Sequence, residues 1–111
     1  MADKDPREPF TRLSASEARH MMENGGVQVI DVRDKREYEN GHIPGAEHIP
    51  VNTVSARRNE LGRDRDIIFV CSVGRRSALA CEMAAAAGLT RLYNVEGGTE
   101  AWIKEGHAVE K

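Results

Sequence analysis

Residues 67–77 read IIFVCSVGRRS, a short apolar run that ends at a cysteine and leads into a turn with one glycine and two arginines. The apolar run is typical of a buried strand, and the alanine-rich residues 78–87 that follow favour a helix. When a buried strand turns sharply into a helix, the free N–H groups of the turn point at one spot and the helix dipole adds positive potential there. The stretch therefore predicts an α/β fold with Cys71 in an anion-binding turn.

Cys71 is predicted to be a reactive thiol. Gly74 allows a backbone conformation closed to other residues, and Arg75 and Arg76 bring cations to the rim of the turn. Together with the turn amides, these cations should lower the cysteine pKa from its free value of about 8.5. The alternative is a buried structural cysteine, which is the default for an isolated residue. A thiolate favoured in this way is itself the nucleophile, so no neighbouring histidine is needed.

Composition limits the other classes of protein. A chain of 111 residues fits one domain, and its net charge of -2, with basic residues interleaved with acids, gives no reason to expect nucleic acid. Two cysteines are too few for a disulfide scaffold, and no metal-ligand spacing links them to the four histidines. We expect neither metal nor cofactor. The charged first ten residues and the absence of a long apolar segment predict a soluble cytoplasmic protein without a membrane partner.

Strand and helix signals alternate along the chain. Such alternation predicts right-handed crossovers and a mostly parallel sheet with helices on both faces, whose ligands bind beyond the carboxyl ends of the strands. We expect a flexible segment over 1–9, one domain over 10–107 and a tail over 108–111. The predicted strands cover 10–13, 27–32, 47–50, 67–71 and 91–95, and the predicted helices cover 14–24, 35–40, 52–61, 76–87 and 99–105, the first opened by the capping-box spacing of Ser14 and Glu17.

Three separated segments resemble one family, the rhodanese-like sulfurtransferases. The resemblance spans roughly residues 10–107 and implies a three-layer α/β/α domain around a five-stranded, mostly parallel sheet. The segments are Asp31-Val32-Arg33 with Glu37-Tyr38 and GHIPGA at 41–46, then Cys71-x-x-Gly74-x-Arg76-Ser77, then Glu96-Gly97-Gly98 with Ala101-Trp102.

The resemblance also implies a persulfide mechanism. Cys71 would take a sulfane sulfur from a small donor such as thiosulfate and pass it to cyanide, a thiol or a protein acceptor. The amides of the turn would hold the Cys–S–S anion, and Arg75 or Arg76 would suit a leaving sulfite. The predicted substrate-binding residues are Ser72, Val73, Gly74, Arg75 and Arg76.

Asp31, Arg33 and Ser77 are expected to support the site without reacting. Arg33 and Glu37 are four apart and are expected to pair on a short helix, while Asp31 at the end of its strand braces the active-site turn. Ser77 closes the cysteine motif and lies on the small-residue face of the following helix. Structural support is favoured over direct catalysis for these residues because strand-end carboxylates and arginines often anchor loops.

Three further residues are expected to serve structure. His42 is expected to anchor its turn and not to transfer protons, and Trp102 to pack in the core or at the rim. Cys81 falls on the small-residue face of the helix, where packing is favoured over a resolving role.

Two other functions remain open. Phosphatases and arsenate reductases related to rhodaneses have an active-site motif that resembles Cys-x5-Arg. In this chain Arg76 comes one residue too early for that motif, and Ser77 occupies the arginine position. The shorter turn favours sulfur over phosphate. A sulfur-carrier or regulatory module that delivers a persulfide to a protein partner would need the same Cys71.

Overall fold

A computed structural model describes residues 2–111, which form one mostly parallel sheet with helices on both faces. Within this range the sheet has six strands in the order β1-β2-β6-β5-β3-β4, and the only antiparallel pair in it is β1 with β2. The strands are β1 Asp3–Lys4, β2 Thr11–Leu13, β3 Val27–Asp31, β4 Glu47–His48, β5 Asp66–Val70 and β6 Leu92–Val95.

The helices are α1 Ala15–Asn24, α2 Lys35–Glu39, α3 Arg75–Ala86 and α4 Gly98–Lys104. The predicted capping box at the start of α1 is confirmed, because the Ser14 hydroxyl accepts from the Glu17 amide at 3.0 Å and the Glu17 carboxylate accepts from the Ser14 amide at 2.8 Å. Asp34 and Glu37 form a second capping box at α2. Within residues 2–111 no helix has the length and apolar character needed to cross a membrane.

The α/β class is confirmed, but the strand count of five is wrong. The additional strand, β1, lies in the segment expected to be flexible and pairs Asp3 with Arg12 and Lys4 with Thr11. The side chains of β1 are exposed, so no pattern of apolar residues marks this strand in the sequence. The predicted boundaries at 1–9 and 108–111 stay predictions.

The predicted helix over 52–61 is also wrong. Two single 3₁₀ turns, Val51–Thr53 and Arg58–Glu60, stand in its place. This segment combines β-branched residues, which have low helix propensity, with few buried side chains, so packing does not compensate for the weak propensity.

Strand β5 lies between two apolar layers, and Cys71, the catalytic candidate, follows directly at its carboxyl end. Ile67, Phe69 and Cys71 belong to the core covered by α3, whereas Ile68 and Val70 belong to the core beneath α1 and α4. Since β5 lies between β6 and β3, the residue after β5 is surrounded by the carboxyl ends of neighbouring strands.

Candidate active site

The turn after β5 wraps its backbone around the sulfur of Cys71. The Gly74 amide donates to Cys71 Sγ at 3.0 Å, and the Ser77 hydroxyl lies 3.3 Å from the same sulfur. Gly74 has φ of +103°, a conformation that glycine adopts at little cost. Cys71 is only 1% exposed, so the sulfur lies beneath the turn.

The start of α4 holds the outer side of this turn. The Cys71 carbonyl accepts from the Thr99 amide at 2.8 Å and from the Thr99 hydroxyl at 3.0 Å, and the Ser72 carbonyl accepts from the Glu100 amide at 3.1 Å. Gly98 allows this approach, because a Cβ there would lie 2.4 Å from the Cys71 carbonyl oxygen. These contacts bind the carbonyls of the turn and leave its amides to face the sulfur.

The two cysteine thiols differ in ionisation. Burial is the largest influence on the pKa of Cys71 and raises it, but hydrogen bonds from the Ser77 hydroxyl and from the amides of Ser77, Gly74 and Val73 together outweigh burial and hold the pKa below its usual value. Cys81 lies on α3 and is fully buried in the core, and this burial raises the pKa of its thiol far above the usual range. Of the two cysteines in the described part of the chain, only Cys71 combines a buried sulfur with hydrogen-bond donors that favour a thiolate.

Arg76 does not point a free cation at the sulfur. Its guanidinium forms two hydrogen bonds with the Glu37 carboxylate, at 2.7 and 2.9 Å, and a third with the Ser72 hydroxyl at 3.1 Å. Arg76 lowers the pKa of Glu37 to about 2, so the stability from this ion pair is present above the ordinary value of 4.5 and is lost as pH falls toward 2. The pair joins α2 to the turn and neutralises one of its two arginines.

Asp31 and Arg33 form a separate, buried ion pair. Arg33 donates to both Asp31 carboxylate oxygens at 2.8–3.1 Å and to the Gly41 carbonyl at 2.8 Å. The expected pairing of Arg33 with Glu37 is wrong, because Arg33 turns back to the strand end and leaves Glu37 to Arg76. Asp31 and Arg33 thus fix the segment at 41 beside the turn and do not contact the sulfur.

His42 and Trp102 have the structural surroundings expected of them. His42 Nδ1 lies 2.8 Å from the Tyr38 carbonyl, and its ring stacks on the Tyr38 ring at 3.7 Å between centroids. The Trp102 indole is buried and donates to the Ala108 carbonyl at 2.7 Å.

Two open hollows flank the turn. A larger hollow of about 620 Å³ beside α1 contains no residue of the turn, so the chemistry of Cys71 identifies the site better than pocket size does. The first flanking hollow, about 300 Å³, is lined by Arg33, Glu37, Ser72, Thr99, Glu100 and neighbours, and the second, about 370 Å³, by Val73, Gly74, Arg75, Asn94, Glu96 and neighbours.

The family model of the rhodanese-like domain matches this chain across residues 14–105. This range contains the turn and both of its supporting segments. The chain belongs to the rhodanese-like domain family. The solved structure of a rhodanese-related protein from Thermoplasma volcanium is 31% identical, has a TM-score of 0.81, and matches over 89% of this chain and 96% of its own.

Two relatives of this rhodanese-like chain have names that refer to sulfur chemistry. A protein of Allochromatium vinosum named sulfurtransferase is 32% identical over 84% of this chain and 87% of its own. YrkF of Bacillus subtilis, named as a candidate sulfur carrier, is 40% identical over 68% of this chain. The chain spans 41% of YrkF and 60% of YqhL, a second Bacillus subtilis relative.

One structural neighbour has a different description. RPA3614 of Rhodopseudomonas palustris is described as a protein of unknown function and a possible tyrosine phosphatase. It is 30% identical with a TM-score of 0.80, and the match covers 89% of this chain and 83% of that chain. A protein that shares the rhodanese-like fold is therefore described with a different possible chemistry.

Of the five predicted substrate-binding residues of the turn, Val73 and Gly74 approach the sulfur, and they do so through their backbone amides. Amides of Val73, Gly74 and Ser77 face Cys71, whereas the Val73 side chain is half exposed and Arg75 is exposed. Their roles in substrate binding stay predictions.

Sequence reasoning missed two residues of this rhodanese-like site. Asn94 is a buried amide in an otherwise apolar strand, and it donates to the Gly74 carbonyl at 3.1 Å. A lone Asn in a buried strand was a usable signal. Thr99 was placed in a helix, but its contact with the Cys71 carbonyl depends on how β5 and α4 meet.

Replacing Gly98 with alanine should disrupt the turn. The added Cβ would overlap the Cys71 and Ser72 backbone, so we expect the free energy of unfolding to fall by ~2 kcal/mol or more. Gly26→Ala is the control, because Gly26 has φ of +76° and open space around it, so this variant carries only the backbone cost of about 1–2 kcal/mol. Equal losses of stability in the two variants, measured by urea unfolding, would contradict the close approach.

Cys71 should be alkylated faster than Cys81 at about pH 6, by tenfold or more, because the turn amides favour its thiolate and burial opposes that of Cys81. Peptide mass spectrometry after brief exposure to iodoacetamide measures both sites. In urea the two cysteines should react at similar rates. Similar rates in the folded protein would refute the difference in ionisation.

Proposed function

We propose that this protein is a sulfurtransferase that carries a sulfane sulfur on Cys71 as a persulfide. The observation that carries the proposal is the Gly74 amide 3.0 Å from Sγ, in a turn whose carbonyls are bound by α4. Such a turn stabilises negative charge on sulfur in both the thiolate and the persulfide. Family membership and a relative named sulfurtransferase support sulfur transfer in general.

The reaction has two displacement steps. In the first, the Cys71 thiolate attacks the outer sulfur of the donor, an S–S bond forms at Sγ, and the donor's S–S bond breaks with its electron pair on the leaving sulfite or thiolate. In the second, cyanide or a thiolate attacks the outer sulfur, and Sγ leaves as a thiolate. The amides around Sγ favour the leaving thiolate, so the same turn assists both steps.

The spacing of the turn argues against phosphate chemistry. The arginine of a Cys-x5-Arg phosphatase turn reaches its phosphate, whereas Arg76 comes after four residues and is held by Glu37. A turn of this size fits one sulfur better than a tetrahedral oxyanion. The description of RPA3614 keeps phosphatase activity as the competing outcome of the test.

Cys71→Ser should abolish persulfide formation. After incubation with thiosulfate or glutathione persulfide, intact mass of the native protein should increase by one sulfur atom, and cyanide should remove that atom. The serine variant should gain none, since its hydroxyl is not ionised at neutral pH.

Cys81→Ser is the matched control and should gain the sulfur as the native protein does, because Cys81 is buried in the core. Loss of the sulfur in Cys81→Ser, or a native protein that gains no sulfur and hydrolyses an aryl phosphate, would contradict sulfur transfer.

One observation favours a donor of low charge and, with it, the sulfur-carrier function. Glu37 neutralises Arg76, and Glu37 and Glu100 line the hollow beside Ser72, so this approach disfavours a dianion such as thiosulfate. We infer that the donor is a persulfide borne by a thiol, either a small thiol or a protein cysteine. The relative YrkF, named as a candidate sulfur carrier, supports this alternative.

Glu37→Gln should improve the use of thiosulfate. The amide keeps the capping position at α2 but releases the charge of Arg76, so the KM for thiosulfate should fall by about 2–5-fold while kcat changes little. Glu39→Gln removes an equal charge from the same helix at an exposed pair with Lys35 and should leave the KM unchanged. An unchanged KM in Glu37→Gln would show that Arg76 does not decide which donor binds.

A further inference from the structure

Asn94 has a buried polar side chain that takes no part in the two sulfur-transfer steps. It lies in β6, is 1% exposed, and contacts the backbone of the active-site turn. Its Nδ2 donates to the Gly74 carbonyl at 3.1 Å and lies 3.4 Å from the Glu96 carboxylate, and its Oδ1 accepts from the Ser77 hydroxyl at 2.5 Å. The side chain thus joins Gly74 and Ser77, two of the residues that contact Cys71 Sγ.

The orientation of the Asn94 amide is determined by its neighbours. The Gly74 carbonyl and the Glu96 carboxylate only accept hydrogen bonds, so the NH₂ group of Asn94 must face them. Its Oδ1 then faces Ser77 and can only accept. As a result, the hydroxyl proton of Ser77 is directed at Asn94.

Ser77 has one hydroxyl proton for two acceptors. With Cys71 as a thiol, the S–H donates to Ser77 Oγ, 3.3 Å away, and the Ser77 proton stays on Asn94 Oδ1. With Cys71 as a thiolate, the sulfur can only accept, and a Ser77 proton that turns toward it leaves Asn94 Oδ1 without its donor. Asn94 and the thiolate therefore compete for one proton.

We propose that Asn94 is a positioning residue that sets the direction of the Ser77 hydroxyl and thereby restrains ionisation of Cys71. The proposal rests on the proposed function. In the persulfide the charge lies on the outer sulfur, so the Ser77 proton returns to Asn94; when Sγ leaves as a thiolate, the proton turns back to it. The hydroxyl rotates and transfers no proton, and the thiol proton goes to solvent.

Several titratable groups surround this network and are common to all variants used below. Arg76 of α3 is close enough to Cys71 to interact with its charge, and so is the Cys81 thiol on the same helix. Glu96 faces Asn94 and pairs with Arg12 of β2 at 3.4 Å. Because these groups stay in place, a change between variants reports on Asn94 and Ser77.

The test is a double-mutant cycle read by the pH dependence of Cys71 alkylation in the reduced full chain. Asn94→Ala should lower the apparent pKa of Cys71 by roughly 0.5 to 1, because Ser77 is then free to donate to the thiolate. Ser77→Ala should raise it. The double variant should match Ser77→Ala, since Asn94 acts through the hydroxyl.

A merely structural Asn94 would give a different pattern. Loss of its bond to the Gly74 carbonyl would loosen the turn, move the Gly74 amide from Sγ and raise the pKa equally with and without Ser77. A rise, no change, or equal shifts in both backgrounds would overturn the proposal. Because alkylation measures ionisation, this result is independent of whether the protein forms a persulfide.

Two further variants keep the test decisive. Asn94→Leu retains the side-chain volume and should lower the pKa as alanine does, which covers an alanine variant that fails to fold by circular dichroism. Gln28→Leu is the control, because Gln28 is another buried amide that bridges backbone, donating to the Glu60 carbonyl and accepting from the Gly62 amide at 2.8 Å each. It should leave the Cys71 pKa unchanged, and a shift there equal to that of Asn94→Leu would also overturn the proposal.

Discussion

The site depends on the contact between the start of α4 and the backbone that follows β5. Thr99 and Glu100 bind the carbonyls of Cys71 and Ser72, and Gly98 lets the two backbones approach more closely than any side chain would allow. A peptide unit with its carbonyl bound on one side presents its N–H on the other. This contact therefore orients the Val73 N–H, which shares its peptide unit with the Ser72 carbonyl, toward the sulfur, and it couples the surroundings of Cys71 to the packing of α4 against the sheet.

Amides and not arginines supply most of the positive potential at the sulfur. Arg76 is bound to Glu37, and Arg33 is bound to Asp31, so two of the cations near the site are neutralised by partners from neighbouring segments. Backbone amides do not titrate, so their capacity to donate to the sulfur does not change with pH. Paired arginines instead fix the position of α2 and of the segment at 41 beside the turn, at the cost of weaker attraction for small dianions.

Buried polar groups couple the strands to the turn. Asn94 connects β6 to Gly74 and Ser77, and every one of these groups has a partner within the described residues. A buried amide left unpaired is costly, so the network maintains the turn in a single arrangement while one hydroxyl remains able to rotate. Asn94 thus holds the backbone of the turn through Gly74, while the Ser77 hydroxyl can donate either to Asn94 or to the sulfur.

Local patterns in the sequence determined most of the helices and strands and the place of Cys71 directly after β5. The capping box at Ser14, the apolar run of β5 and the glycine turn after it depend on interactions within a few residues, so they were predicted correctly. Only the tertiary structure decided that Arg76 pairs with Glu37, 39 residues away, and that Asn94 and Thr99 meet the turn. Such contacts depend on how strands are ordered and how helices lie on them, which residue spacing along a chain does not specify.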